Sequence, residues 1–192
     1  YNLNTTFFFL LADYGINDKN VPVTSRKLIN QIKEVSDYCN VGLHTSFASL
    51  SRSKKLKLEL NRLMEIIHTE VLYTRQHFIK LDIPKMYRNL VKFGVKHDFS
   101  MGFASRPGFR AGTCNPYLFY DLDLENEMDL TIHPFMIMDV TLNDYMHLSP
   151  SDSLSLIKDI INEVKNVNGD FISVWHNESL NFQDRWSGWE GV

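Results

Sequence analysis

The sequence predicts an α/β fold with parallel strand pairing, and three observations predict it. Short apolar runs of strand length alternate with amphipathic stretches at helical spacing. The 192 residues suffice for one domain with a real hydrophobic core. Two of the apolar runs, Val41-Gly42-Leu43-His44 and Ile172-Ser173-Val174-Trp175-His176, end on a histidine. Chemistry in α/β folds gathers at strand ends, so these two imidazoles are expected to be walls of one pocket. A barrel and a doubly wound sheet are the two outcomes of such a pattern.

Thr6 to Ala12 reads as a core strand, too short to span a bilayer and without the basic flank of a signal peptide. A turn-rich stretch follows, leading to Thr24 or Ser25 as the cap of a helix with Leu28, Ile29, Ile32 and Val35 inside. Val41 to His44 is the second strand. The next helix carries Leu56, Leu60, Leu63, Met64 and Ile67 on one face, and its Lys and Glu residues are expected on the wet side. Val71 to Phe78 reads as a third strand, on which His77 and Arg75, two apart, share a face.

Asp82-Ile83-Pro84 opens a short helix that Gly94 stops, and Val95 to Phe99 resumes the strand pattern. Met101 to Asn115 is irregular and glycine-rich, the character of a site loop. Tyr117 to Asp121 and Thr131 to Val140 are further strands. Ser149-Pro150-Ser151-Asp152 combines a cap, a first-turn proline and an acidic residue at the positive helix end. Asn168-Gly169 then turns into the strand ending at His176.

Composition excludes several classes. With 44% hydrophobic and 22% charged residues the chain is an ordinary globular protein, neither disordered nor membrane-embedded. A net charge of -3 offers no basic surface for phosphates, so nucleic acid is not an expected partner, and no membrane span is expected. Cys39 and Cys114 are too few and too far apart for a metal knuckle or redox pair, and they fix no compartment. Because the chain opens on Tyr1 close to a core strand, a longer polypeptide upstream is expected. The localisation and oligomeric state stay open.

Arg106 and Arg110 flank Pro107-Gly108-Phe109, where a guanidinium suits a carboxylate or a substrate oxygen. Asp98, Asp121 and Asp139 lie at or near strands, where a half-buried carboxylate has a hydrogen-bonding or acid-base task. Asp98 is the preferred one, since its strand feeds the irregular loop. Tyr14, Phe103, Tyr117, Trp175 and Trp186 are candidates to stack on sugar rings or to fill the core.

Three strings, Thr5-Thr6-Phe7-Phe8-Phe9-Leu10, Val41-Gly42-Leu43-His44-Thr45-Ser46 and Val174-Trp175-His176, resemble the polysaccharide deacetylase family, the NodB-homology domain of carbohydrate esterase family four. A divergent, uncharacterised bacterial branch is closer still, on Arg75-Gln76-His77-Phe78, on the run Asp98 to Ala104 and on the run Gly108 to Thr113. The resemblance implies a single domain over residues 1–192, a NodB-like distorted (β/α) barrel lacking its first strand. It implies a metal-dependent hydrolase that removes acetyl groups from an N- or O-acetylated carbohydrate, with zinc, cobalt or nickel as cofactor. His44 would be a metal ligand and His176 the acid that protonates the leaving group. Arg75 or Arg110 would orient the base, and Asp98 would hold His176.

The second ligand position of the family's histidine motif holds Ala48, and His77 is the candidate to replace that imidazole. The paired aspartates of the first motif would lie just before Tyr1. The competing reading is a catalytically degenerate carbohydrate-binding module, and a third is another amide or ester hydrolase on the same scaffold.

Overall fold

The computed structural model describes residues 3–192. Their contacts group into two compact units, one made of the residues up to Ser100 with Leu118–Ile132, the other of Met101–Tyr117 with His133–Val192.

In the first unit the strands are β1 (Thr6–Leu10), β2 (Asn40–Thr45), β3 (Tyr73–Gln76), β4 (His97–Asp98), β5 (Tyr117–Asp121) and β6 (Asn126–Ile132). They form one sheet in the order β1-β2-β3-β4-β6-β5. The pairs β1/β2, β2/β3, β3/β4 and β4/β6 are parallel. Parallel neighbours need crossovers, which α1 (Arg26–Ser36), α2 (Ser53–Ile67) and α3 (Lys85–Lys92) supply. Helices α1 and α2 pack on β2, and α3 packs on β6.

Each helix follows from its apolar spacing. Ile32 is the fully buried residue of α1, Leu56, Leu60, Leu63 and Ile66 bury one face of α2, and Met86, Tyr87 and Leu90 do so for α3. Side chains of this size each contribute about 1.5–3 kcal/mol when removed from water. Gly42 permits β2 to sit where it does, because a Cβ there would come within 2.7 Å of the Tyr73 carbonyl oxygen and of the Phe8 ring.

Three sequence expectations change here. The third strand is shorter than Val71 to Phe78: it ends at Gln76, and His77–Ile79 make a tight turn. Phe78 and Ile79 take positive φ of 58° and 52°, a conformation that cannot continue a strand. His77 therefore leaves the strand and no longer alternates with Arg75. The strand over Val95 to Phe99 shrinks to His97–Asp98. Glu59, expected on the wet face of α2, is 2% exposed and bonded to Ser46.

In the second unit, β7 (Ile137–Met138) and β8 (Ser173–Val174) form a parallel pair with Met138 opposite Val174. The long strand expected over Thr131 to Val140 is thus two strands, β6 and β7. Pro134 has no N–H to give a ladder, while the next two amides, Phe135 and Met136, donate to Met101 and Ile172. Helix α4 (Pro150–Asn166) begins as its sequence predicts, with Ser149 Oγ accepting the Asp152 amide at 3.1 Å. It packs Ile157 and Val164 into a core with Met136, Leu142, Trp186 and Trp189. Trp186, a stacking candidate, is 2% exposed and belongs to this core. Residues Met101 to Asn115 form neither helix nor strand, as expected.

Candidate functional sites

At the C-terminal end of the first sheet, β2 and β3 run side by side with His44 opposite Arg75. His44 extends toward that neighbour, and its Nδ1 lies 2.9 Å from the Arg75 carbonyl oxygen. Just past β3, the turn at Phe78 and Ile79 brings the His77 ring edge-on to His44, with centroids 4.9 Å apart. The structure brings these two predicted residues together.

Asp18 fixes the second imidazole. Its Oδ1 sits 2.9 Å from His77 Nδ1 and accepts the Phe47 amide at 2.8 Å, while Oδ2 accepts the Ala48 amide at 3.2 Å. One buried carboxylate therefore holds both His77 and the loop that follows His44. Behind this loop, Glu59 accepts the Ser46 amide at 3.0 Å and the Ser46 hydroxyl at 2.6 Å. Burial pushes the Glu59 carboxyl up, and the two Ser46 hydrogen bonds only partly oppose this. Gln76 completes the support, its Nε2 donating to the Ser46 carbonyl at 3.0 Å and its Oε1 accepting the Thr45 hydroxyl at 2.6 Å.

Asp98 has a different task from the expected one. It is 1% exposed, accepts the Ser100 amide at 3.0 Å and the Ser100 hydroxyl at 2.8 Å, and takes the Thr74 hydroxyl at 3.3 Å. Ser100 Oγ in turn accepts the Gln76 amide at 2.8 Å. Burial pushes the Asp98 carboxyl up to about 6, against the lowering effect of Ser100, Thr74 and Tyr87. Its hydrogen bonds fasten β3 to the exit of β4.

His176 instead has Asp139 as its partner. Asp139 follows β7 directly and His176 lies two residues past β8, so the register of the pair sets them side by side. Asp139 Oδ2 accepts the His176 amide at 2.6 Å, and Oδ1 is 2.7 Å from His176 Nδ1. Burial raises the Asp139 carboxyl, but the hydrogen bonds and charge of His176 outweigh it and hold it below its ordinary value. The Asp139 carboxyl is wholly buried, whereas the His176 side chain is about one-third exposed. A fixed carboxylate behind a partly open imidazole is the arrangement of a proton-transfer dyad.

Arg75 is buried at 6% exposure within β3. Arg110 is exposed and donates from Nη1 to the Gly102 carbonyl at 3.0 Å, pinning its own loop. Asp121, weighed with Asp98 and Asp139, is held by Arg88 at 2.5 and 2.7 Å. Sequence reasoning missed Asp18 and Glu59. Both partner residues at least 13 positions away, and the one local hint was the clustering of Asp13, Asn17, Asp18 and Asn20 in a single turn-rich stretch.

His44 and His77 share one feature with metal-binding histidines. Metal-binding histidines characteristically give their second ring nitrogen to a carbonyl or carboxylate, as both rings do here through Nδ1. Nε2 of each would then be the ligand atom toward zinc, cobalt or nickel. Among the described residues no group of three or more His, Cys, Asp and Glu side chains converges on one ion position.

No protein-family profile and no curated protein matches the chain. Among solved structures it is similar to a candidate polysaccharide deacetylase from Mycobacterium smegmatis, with a TM-score of 0.62 and 16% identity over 91% of this chain and 58% of that one. A second candidate polysaccharide deacetylase, from Bordetella bronchiseptica and tied to O-antigen biosynthesis, has a TM-score of 0.42 and 12% identity over 73% of this chain and 61% of its own. The chain spans less than two thirds of either structure. The M. smegmatis likeness identifies the fold class: a mixed α/β protein with a mostly parallel sheet, shared with a polysaccharide-deacetylase-like structure. No helix among the described residues is long and apolar enough to cross a membrane.

Proposed function

We propose that the chain belongs to a metal-assisted hydrolase that removes acetyl groups from an N- or O-acetylated carbohydrate. The observation that carries this reading is that Nδ1 of His44, His77 and His176 each lies against an oxygen atom, the arrangement found in imidazoles that work through Nε2. The distorted (β/α) barrel over one domain, expected from the sequence, is part of the same reading.

His44 and His77 are the residues that would hold the cation. When bound, a divalent cation supplies electrostatic activation of the acetyl carbonyl and of water. His176 donates a proton from Nε2 to the leaving nitrogen or oxygen as its bond to the acetyl carbon breaks, and the buried Asp139 carboxylate stabilises the imidazolium before transfer. Water provides the oxygen of the released acetate. A general base would take the proton of the attacking water, with Arg75 or Arg110 orienting that base, and Asp98 braces the strand ends.

A second reading, a carbohydrate-binding module without turnover, is favoured by Ala48, which contributes only its amide, to Asp18. Metal content and acetate release separate the two. The hydrolase reading expects zinc, cobalt or nickel at one equivalent in the protein, lost in His44→Ala and His77→Ala, and acetate release from an acetylated amino sugar lost in His176→Ala. Unchanged turnover in His176→Ala removes that residue from the mechanism, and saturable glycan binding with neither metal nor acetate release selects the module.

A further inference from the structure

Three polar atoms of His176 are committed to two residues. Its amide and Nδ1 go to Asp139, at 2.6 and 2.7 Å, and its carbonyl oxygen accepts the Ser179 amide at 3.0 Å and the Ser179 hydroxyl at 2.7 Å. Ser179 opens the short helical turn Ser179–Asn181 and is 2% exposed. Serine ordinarily faces water, and a hydroxyl taken out of water costs free energy unless its hydrogen bonds are made.

The hydroxyl has one proton and two acceptors in reach. One is the His176 carbonyl oxygen, which the Ser179 amide already satisfies. The other is the Asp139 carboxylate, where a hydrogen bond from the Ser179 side chain joins those of His176 in holding the carboxyl below its ordinary value. The Asp139 side chain is wholly buried, and a hydrogen bond to a charged group is roughly twice as strong as one between neutral groups. The proton therefore goes to the carboxylate. The charged side chains nearby are occupied with one another: Glu178 pairs with Arg185, which also reaches Asp144 at 2.9 Å, and all three are partly exposed.

We propose that Ser179 is a positioning residue of the Asp139–His176 pair, its hydroxyl donating to the Asp139 carboxylate and so limiting how tightly that carboxylate draws the proton on His176 Nδ1. Each donor to a carboxylate makes it a weaker base, and Asp139 also takes the Val140 amide at 2.7 Å. With the hydroxyl removed, Asp139 pulls harder on the Nδ1 proton. A ring held harder at Nδ1 parts less readily with a proton at Nε2, so Ser179 keeps the imidazole ready to give its proton away. The functional meaning of this bond rests on the preceding reading, in which His176 is the acid; the bond itself does not.

The test reads the ¹⁵N resonance of His176 Nδ1 in the full chain, through its correlation to the carbon-bound ring protons, at about pH 8, where histidine is ordinarily neutral. Ser179→Ala removes the hydroxyl, and Ser179→Cys fills the same space with a weak donor. A downfield displacement of Nδ1 is expected in both, from a stronger bond to Asp139, with Glu178→Gln unchanged. A merely structural brace predicts the opposite sign, because its loss loosens the contact. An unmoved or upfield resonance overturns the proposal. A wild-type resonance in Ser179→Cys, or an equal displacement in Glu178→Gln, also overturns it. If the downfield displacement is seen and the wild type releases no acetate, the hydrolase reading falls and the assignment of Ser179 stands.

Discussion

Asp139 takes both the backbone amide and the ring Nδ1 of His176, at 2.6 and 2.7 Å. A carboxylate bonded twice to one residue fixes the position of its backbone as well as the ring orientation and tautomer. Asp139→Asn keeps the shape but can present an amide N–H to Nδ1. The expected result is a switch of the His176 ring proton away from Nδ1, read by ¹⁵N NMR, and, under the proposed hydrolase reading, a loss of about 10² to 10⁴ in acetate release. An unchanged tautomer would show that the carboxylate does not set the ring.

Asp18 supports the other imidazole. Partners of metal-binding histidines typically contribute 10- to 100-fold in affinity, so under the proposed hydrolase reading Asp18→Ala is expected to weaken zinc binding by about that factor. Equilibrium dialysis against zinc measures it, with Asp13→Ala as the control, because Asp13 is exposed and pairs with Lys55 and Arg62.

Asp98 predicts a pH dependence of stability. Its carboxyl titrates near 6 in the folded chain, above its ordinary value of 3.8, so the folded state binds this proton more tightly than the unfolded state. The contribution is fully present below pH about 4 and is lost as the pH rises to about 6. Urea unfolding of the wild type and Asp98→Asn at pH 4 and pH 7 should differ in their pH response by about 3 kcal/mol, with the flatter profile in the variant.

Gly42→Ala tests the strand that carries His44. The added Cβ would meet the Tyr73 carbonyl, a backbone atom that cannot swing away. Urea unfolding should show a loss of about 1–3 kcal/mol.

Glu59→Ala removes both acceptors of Ser46 and leaves its buried amide without this partner. The expected cost is about 1–3 kcal/mol in the same measurement.

The helices and the histidines at strand ends were legible because both are local signals. The start of α4 follows from four consecutive residues and His44 from the apolar run it closes, whereas the strand expected to end at His176 stops two residues earlier, at Val174. The parallel order of strands was legible from alternation alone. The partner of His176 was not: Asp139 and Asp98 look alike in sequence, and only the pairing of β7 with β8 brings one of them to the imidazole. The approach of His77 to His44 was expected, but by the wrong geometry. It depends on positive φ at Phe78 and Ile79, which no glycine or asparagine announces. The short strands β4, β7 and β8, of two residues each, are below the length at which periodicity can mark an edge.

One carboxylate, Asp18, ties three distant stretches of polypeptide: its own turn, the loop at Phe47 and Ala48, and the bend at His77. Replacing the residue at position 18 therefore loosens all three stretches at once, whereas replacing the one at position 77 frees only its own bend.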